Sequence, residues 1–254
     1  MKGYVRQIVV LIAIVAMIYL NLTSNGSGFT EPSQVETTQS YYLYPTDFSP
    51  APLTFLIWAP IFLGMLGLAV YQALPRNRQD KRFDKIALPI IIVSILNAVV
   101  NYVPITLSVI VVSFLLASLA WAFVTIVQLP SDRLFYSFVR VPVGIFFGWI
   151  TIATILNVCQ WLVSVGWDGG IVSSAIWVAI LVIIASGIGS FVITRYREIA
   201  FGVVLIWGFL GILLSDLSQI SVLIAVVVCS LLLCLLIAQV VKDNNMTQET
   251  FNPA

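Results

Sequence analysis

Eight long apolar segments, separated by short polar stretches, constrain what this chain can fold into. Hydrophobic residues make up 60% of the sequence and charged residues 9%, whereas about a quarter of the residues in a soluble domain are charged. A helix needs about 20 apolar residues to cross a bilayer, and continuous apolar runs differ from the alternating pattern of barrel strands. The sequence therefore predicts an all-α polytopic transmembrane bundle. The predicted spans are 5–22, 52–74, 86–102, 105–128, 142–163, 171–194, 199–214 and 220–241.

Basic residues occupy alternate loops of this predicted bundle. They lie at the start of the first span, in every second loop and after the last span, while the other loops carry only acidic charges. Because basic loops stay on the cytoplasmic side, we expect both termini in the cytoplasm and an even number of spans. We expect the location to be a bacterial inner membrane or a plasma membrane. The basic residues are Lys2, Arg6, Arg76, Arg78, Lys81, Arg82, Lys85, Arg133, Arg140, Arg195, Arg197 and Lys242.

Composition narrows the classes of function. The chain has no His, and its three Cys residues lie inside apolar runs, so we expect neither a metal site nor a disulfide. No Asp, Glu, Lys or Arg lies near the centre of a predicted span, although ion-coupled transporters usually carry such groups there. We expect no enzyme, because the residue pairs of acid–base and nucleophilic catalysis are missing. The net charge of +1 does not indicate a nucleic-acid partner.

The predicted outer segment 23–50 is rich in Ser, Thr, Gly and Pro, and then becomes aromatic at Tyr41, Tyr42, Tyr44 and Phe48. Two interpretations of its aromatic part stay open. It lies along the interface as part of an aromatic belt, or it folds over the helix ends as a lid.

Uncharged polar residues cluster by depth in the outer half of the predicted bundle. Trp58, Asn97 and Asn157 fall on three spans, each roughly 8–10 Å below the outer boundary at 1.5 Å per residue. Asn101 and Trp161 lie nearer the interface. The Asn side chains either hydrogen-bond between helices or form a polar patch in an aromatic-lined pocket that opens to the outer side. The sequence leaves both roles open.

Two segments resemble the TspO/MBR family, which includes the tryptophan-rich sensory proteins and the translocator protein. FSPAPLTFLIWAPIFLGMLGLA at 48–69 resembles the start of the family's second helix, and FFGWITIATILN at 146–157 resembles its fifth helix, with Ile152 in place of a Phe. Asn97 or Asn101 stands for the Asn of the family's third helix. The matching residues are Pro50, Pro52, Phe55, Trp58, Phe62 and Met65 in the first segment, and Trp149, Ala153, Leu156 and Asn157 in the second.

The resemblance implies a TspO-like five-helix core over residues 1–163. Residues 164–241 then form three additional helices, as in the longer branch of the family, and residues 242–254 form a cytoplasmic tail. The family's W-Y…K-P stretch in the first loop is replaced by YYLYPTDF.

Family membership would imply a binding or sensory protein that holds a flat apolar ligand. A porphyrin, such as haem, is an example of this kind of ligand. No cofactor is expected apart from it. The expected partners are membrane lipid and a tetrapyrrole, and a homodimer stays open. The rival functions are a transporter or permease for a small apolar solute, and a structural membrane subunit. The expected ligand-binding residues are Trp58, Asn97, Asn101, Trp149, Asn157 and Trp161.

Overall fold

The computed structural model describes residues 3–24, 44–216 and 218–251, and side chains only as far as 243. Within these ranges the chain is helical and contains eight long helices and no strand. Seven are long and apolar enough to cross a membrane, and the remaining one, α7, has 17 residues. The predicted all-α polytopic bundle is confirmed. The helices are α1 Gly3–Thr23, α2 Trp58–Ala73, α3 Lys81–Val100, α4 Ile105–Val127, α5 Arg133–Ser164, α6 Ser174–Tyr196, α7 Ile199–Ser215 and α8 Ile220–Phe251.

Local sequence accounts for several helix ends. The side chains of Asp80 and Asp132 accept hydrogen bonds from backbone N–H groups at the starts of α3 and α5, as helix-capping carboxylates do. A 3-10 helix, Pro52–Ile57, runs directly into α2. The α6–α7 turn places Arg197 in the left-handed region, at a φ of 55°.

α5 and α8 extend furthest beyond their predicted spans, by nine or more residues, and α3 begins five residues early, at Lys81. α5 begins at Arg133, whereas the predicted span begins at 142. The charges of Arg133 and Arg140 lower the hydropathy of the first turns, so the sequence pattern did not include them in the span. Its first turns include a π-helix, Tyr136–Arg140, just before Pro142, which has no N–H to donate within the helix. α8 continues to Phe251, so the predicted tail begins as helix.

The first five helices form a closed ring. α1 packs against α2 and α3, α4 packs between α3 and α5, and α5 packs against α2. The inside of this ring is filled by fully buried apolar side chains from several helices, among them Ile14, Met65, Ile90 and Leu119.

The last three helices pack outside the ring. α7 lies against α5 and against the 3-10 helix before α2, while α6 and α8 pack on each other and on α7. Glycines allow the close approach of α7 to α5: a Cβ on Gly148 would lie 3.0 Å from the carbonyl oxygen of Phe201, and one on Gly208 would lie 2.1 Å from Cδ1 of Ile152. α7 is thus the element that joins the additional helices to the ring. The division of the chain into domains at residue 163 stays a prediction.

The basic loops meet at one end of the bundle. Arg82 pairs with Asp80 and Asp132, which connects the α2–α3 and α4–α5 loops. Arg197, in the α6–α7 turn, pairs with Asp243 of α8. This end corresponds to the predicted cytoplasmic side, and the orientation itself stays a prediction.

Candidate functional site

An aromatic cluster joins α2, α5 and the 3-10 helix. The ring of Trp58 stacks on Phe62 with centroids 5.2 Å apart and meets Phe146 and Trp149 edge-on at 6.1 and 6.2 Å. Phe55 of the 3-10 helix meets Trp149 edge-on at 5.7 Å. Two of the predicted ligand-binding residues, Trp58 and Trp149, are therefore neighbours. We call Phe55, Trp58, Phe62, Phe146 and Trp149 the aromatic cluster.

Trp149 carries an unpartnered donor inside this cluster. Its side chain is 2% exposed, and its indole Nε1–H has no hydrogen-bond partner. A buried polar group without a partner costs roughly 1–3 kcal/mol, and buried polar atoms are nearly always paired. Trp58 and Phe55 are only half-buried. The cluster thus combines partly exposed aromatic rings with a buried donor that nothing in the described chain satisfies.

The amides predicted to line the same pocket divide into two groups. Nδ2 of Asn21 donates to Oδ1 of Asn97 at 2.9 Å, and Nδ2 of Asn101 donates to Oδ1 of Asn21 at 2.7 Å. This first group connects α1 to α3. Asn21 was not among the predicted ligand-binding residues, although it lies near the outer end of the first span, as Asn101 does in the third.

The second group lies between α4 and α5. The hydroxyl of Ser108 donates to Oδ1 of Asn157 at 2.9 Å, and Nδ2 of Asn157 donates to the carbonyl of Ala153 in its own helix. Asn157 and Trp161, one turn further along α5, are both partly buried. Neither Ser108 nor Phe146 was predicted, because a lone hydroxyl or Phe in an apolar span gives no signal of its own.

The opposite end of the ring holds a small apolar cavity between α1, α2 and α3. Oε1 of Gln72 has no partner there, while its Nε2 donates to the carbonyls of Gln7 and Ala69. None of the predicted ligand-binding residues lines this cavity. Its lining consists of Val10, Leu68, Gln72, Phe83, Ile86, Ala87 and Ile90.

No group of three or more His, Cys, Asp or Glu side chains that could hold a metal occurs within the described ranges. The aromatic cluster and both amide groups consist of uncharged side chains. The chemistry available there is stacking, apolar contact and hydrogen bonding by indole and amide groups, which suits binding of a largely apolar molecule.

A family model described as TSPO-like protein matches residues 7–239. The match extends over all eight helices, so it includes the three additional helices as well as the predicted five-helix core. Comparisons with curated proteins and with solved structures gave no match. With the match over nearly the whole chain, this polytopic membrane protein belongs to the TSPO-like protein family.

Proposed function

We propose that this TspO-type integral membrane protein binds a flat apolar ligand, such as a porphyrin, within its five-helix ring and acts as a sensor of that ligand. The observation that carries the proposal is the unpartnered Nε1–H of Trp149 in the middle of the aromatic cluster. A ligand that stacks on the cluster and accepts this hydrogen bond would remove the cost of burying the donor.

The geometry of the cluster supports a planar ligand. Edge-to-face and stacked aromatic pairs are each worth about 0.5–1.5 kcal/mol beyond their buried area, and Trp58 takes part in three such pairs. A planar conjugated molecule can replace these contacts with contacts of the same kind. The half-buried rings of Phe55 and Trp58 are the ones that would give way to it.

Asn157 is the amide best placed to orient such a ligand. It lies eight residues after Trp149 on α5, about 12 Å along the helix axis, and its side chain is partly exposed. Asn97, in contrast, is 1% exposed, although both amides already have hydrogen-bond partners in the chain. We therefore assign ligand orientation to Asn157 and Trp149, with Trp58 as the stacking surface.

The test is porphyrin titration of the purified protein in lipid nanodiscs, followed by quenching of its Trp fluorescence. The parent protein should bind saturably, near one porphyrin per chain. Trp149→Phe removes the N–H and keeps an aromatic ring, and it should weaken binding by about 0.5–1.5 kcal/mol. Asn157→Leu should weaken it by a similar amount, and Trp58→Ala by more, because a stacking surface is lost.

Trp121→Phe is the matched control, since Trp121 lies exposed on α4 and outside the cluster. It should bind porphyrin as the parent does. Absence of saturable binding by the parent would overturn the proposal. If the parent binds but Trp58→Ala and Trp149→Phe match it, the site lies elsewhere. Porphyrin uptake by sealed proteoliposomes would favour the transporter instead.

A further inference from the structure

Trp207 of the additional helix α7 holds the 3-10 helix that carries Phe55. Its indole Nε1 donates to the carbonyl of Thr54 at 2.8 Å. Three residues earlier, the N–H of Ala51 donates to the carbonyl of Gly211 at 2.8 Å. These two bonds attach both ends of one turn of the 3-10 helix to α7. The side chain that follows Thr54 is Phe55, whose ring meets Trp149 edge-on.

The fit between α7 and this turn is close. A Cβ on Gly211 would lie 2.1 Å from Oγ1 of the buried Thr54 and 2.8 Å from its Cβ, so no other residue fits at 211 without moving the turn. On the same helix, Gly208 lies against Ile152 of α5. One helix therefore sets the position of the 3-10 helix relative to α5, which carries Trp149.

We propose that Trp207 is a positioning residue of the ligand site, acting through Thr54 to hold Phe55 against Trp149. This inference rests on the proposed function for its ligand. It assigns a role to the additional helices: α7 fixes one wall of the site in the five-helix ring. A protein of this kind without α7 would have to hold the turn before α2 by other contacts.

Trp207→Phe tests the proposal, because Phe keeps the aromatic ring and removes the N–H. Trp177→Phe is a matched control: Nε1 of Trp177 also donates to a backbone carbonyl, that of Gly169, at 3.1 Å, but in the α5–α6 loop. Two quantities are measured in nanodiscs. One is hydrogen exchange of peptides covering residues 48–58 without ligand, and the other is the dissociation constant for a porphyrin.

Trp207→Phe should accelerate exchange in 48–58 and weaken porphyrin binding about two- to tenfold, while Trp177→Phe should change neither. A second pair gives an independent perturbation. Gly211→Ala should displace the turn and weaken binding in the same way, whereas Gly187→Ala, whose Cβ would meet nothing within 4 Å, should leave both measurements unchanged.

A merely structural bond would lower the unfolding temperature of Trp207→Phe and leave the porphyrin affinity of the folded protein intact, and that result would overturn the proposal. Unchanged exchange in both Trp207→Phe and Gly211→Ala would overturn it too. If the parent binds no porphyrin, the proposed function fails by itself. Faster exchange in Trp207→Phe, but not in Trp177→Phe, would still uphold the positioning of the 3-10 helix by α7.

Discussion

Asn21 and Asn97 join α1 to α3 through a hydrogen bond of 2.9 Å between their side-chain amides. Both residues are fully buried, and Asn101 extends the chain of amides by donating to Asn21. The hydroxyl of Tyr102 donates to the carbonyl of Leu20 at the same end of the bundle. These bonds fit the helix-packing role of Asn97 that the sequence left open, and its contact with a ligand stays a prediction.

Asn21→Leu should lower the free energy of unfolding, since it removes the bonds to both Asn97 and Asn101. Interhelical hydrogen bonds in membranes are worth about 0.6–2 kcal/mol, so we expect a loss in that range. A double-mutant cycle with Asn97→Leu, measured by unfolding in mixed micelles, should give a favourable coupling energy between the two residues. Ser94→Ala is the control with little effect, because that hydroxyl bonds only within α3. Strictly additive losses for the two Asn variants would contradict the pairing.

The number and order of the helices could be predicted from sequence because the thickness of a bilayer fixes the length of an apolar run. Their arrangement could not be predicted. A helix such as α4 is apolar on every side, so its pattern does not distinguish the face toward α3 from the face toward lipid. The position of α7 depends on Gly148 and Gly208, whose role becomes visible only when the facing atoms are known.

The candidate site was predictable in part. The family resemblance pointed to Trp58 and Trp149, and the structure places them side by side. Equal depth suggested that Asn97 and Asn157 share one site, but depth does not determine direction around a helix. Asn97 bonds to α1 and Asn157 bonds to α4. Whether one ligand reaches both stays a prediction.

Arg6 should contribute strongly to the stability of the protein. The sequence indicated only that Arg6 is one of the basic residues that set the orientation in the membrane. Its side chain is 1% exposed. The guanidinium donates to Asp84 at 2.7 Å and to the carbonyls of Asn77, Arg78 and Asp80. A buried acceptor that loses its hydrogen-bond partner costs roughly 1–3 kcal/mol. We expect Arg6→Met to lie near the upper limit of that range, because three carbonyls lose a donor, whereas Asp84 keeps access to solvent.

The measurement for Arg6→Met is unfolding in mixed micelles beside Arg133→Gln. Arg133 is exposed, and its replacement should change the free energy of unfolding by less than about 0.5 kcal/mol. Arg6→Lys should fall between the two, since an ammonium cannot reproduce the fork of a guanidinium. Equal stability of Arg6→Met and the parent would show that the α1–loop contact contributes nothing.

The predicted topology can be tested on exposed residues at the two ends. In a variant without the native Cys residues, Gln79→Cys in the α2–α3 loop and Asp168→Cys in the α5–α6 loop should react with a membrane-impermeant thiol reagent from opposite sides. The reason is that Gln79 lies among basic residues, whereas Asp168 lies in a loop without any. Reagent outside intact cells should label only Asp168→Cys. Labelling of both from one side would be incompatible with eight spans and cytoplasmic termini.

The stability of the protein should fall as the pH rises above about 4.5, because of Glu198 in the α6–α7 turn. Glu198 is 0% exposed, and its Oε2 accepts from Nε of Arg140 at 2.8 Å while Oε1 has no partner. Burial raises the pKa of this carboxyl above its ordinary value of 4.5, against the opposing effect of Arg140. A raised pKa means that the folded state holds the proton more tightly than the unfolded state. The resulting stabilisation is complete below pH 4.5 and is lost as the pH passes the raised value.

Two facts isolate this effect. The chain contains no His, so no other side chain ordinarily titrates between pH 5 and 8. The backbone N–H of Phe135 and the guanidinium of Arg82 hold the pKa of Asp132 below its ordinary value of 3.8. The stabilisation by Asp132 is therefore lost as the pH falls below 3.8, which is the opposite direction. Unfolding temperatures from pH 4.5 to 7.5 in nanodiscs should therefore decline for the parent. Glu198→Gln should show a flat profile, because its amide cannot ionise. The absolute stability of this variant should be lower than that of the parent at pH values where Glu198 is charged, because Arg140 then lacks a counter-charge. A parent profile that rises with pH, or the same decline in Glu198→Gln, would show that this carboxyl does not control the pH dependence.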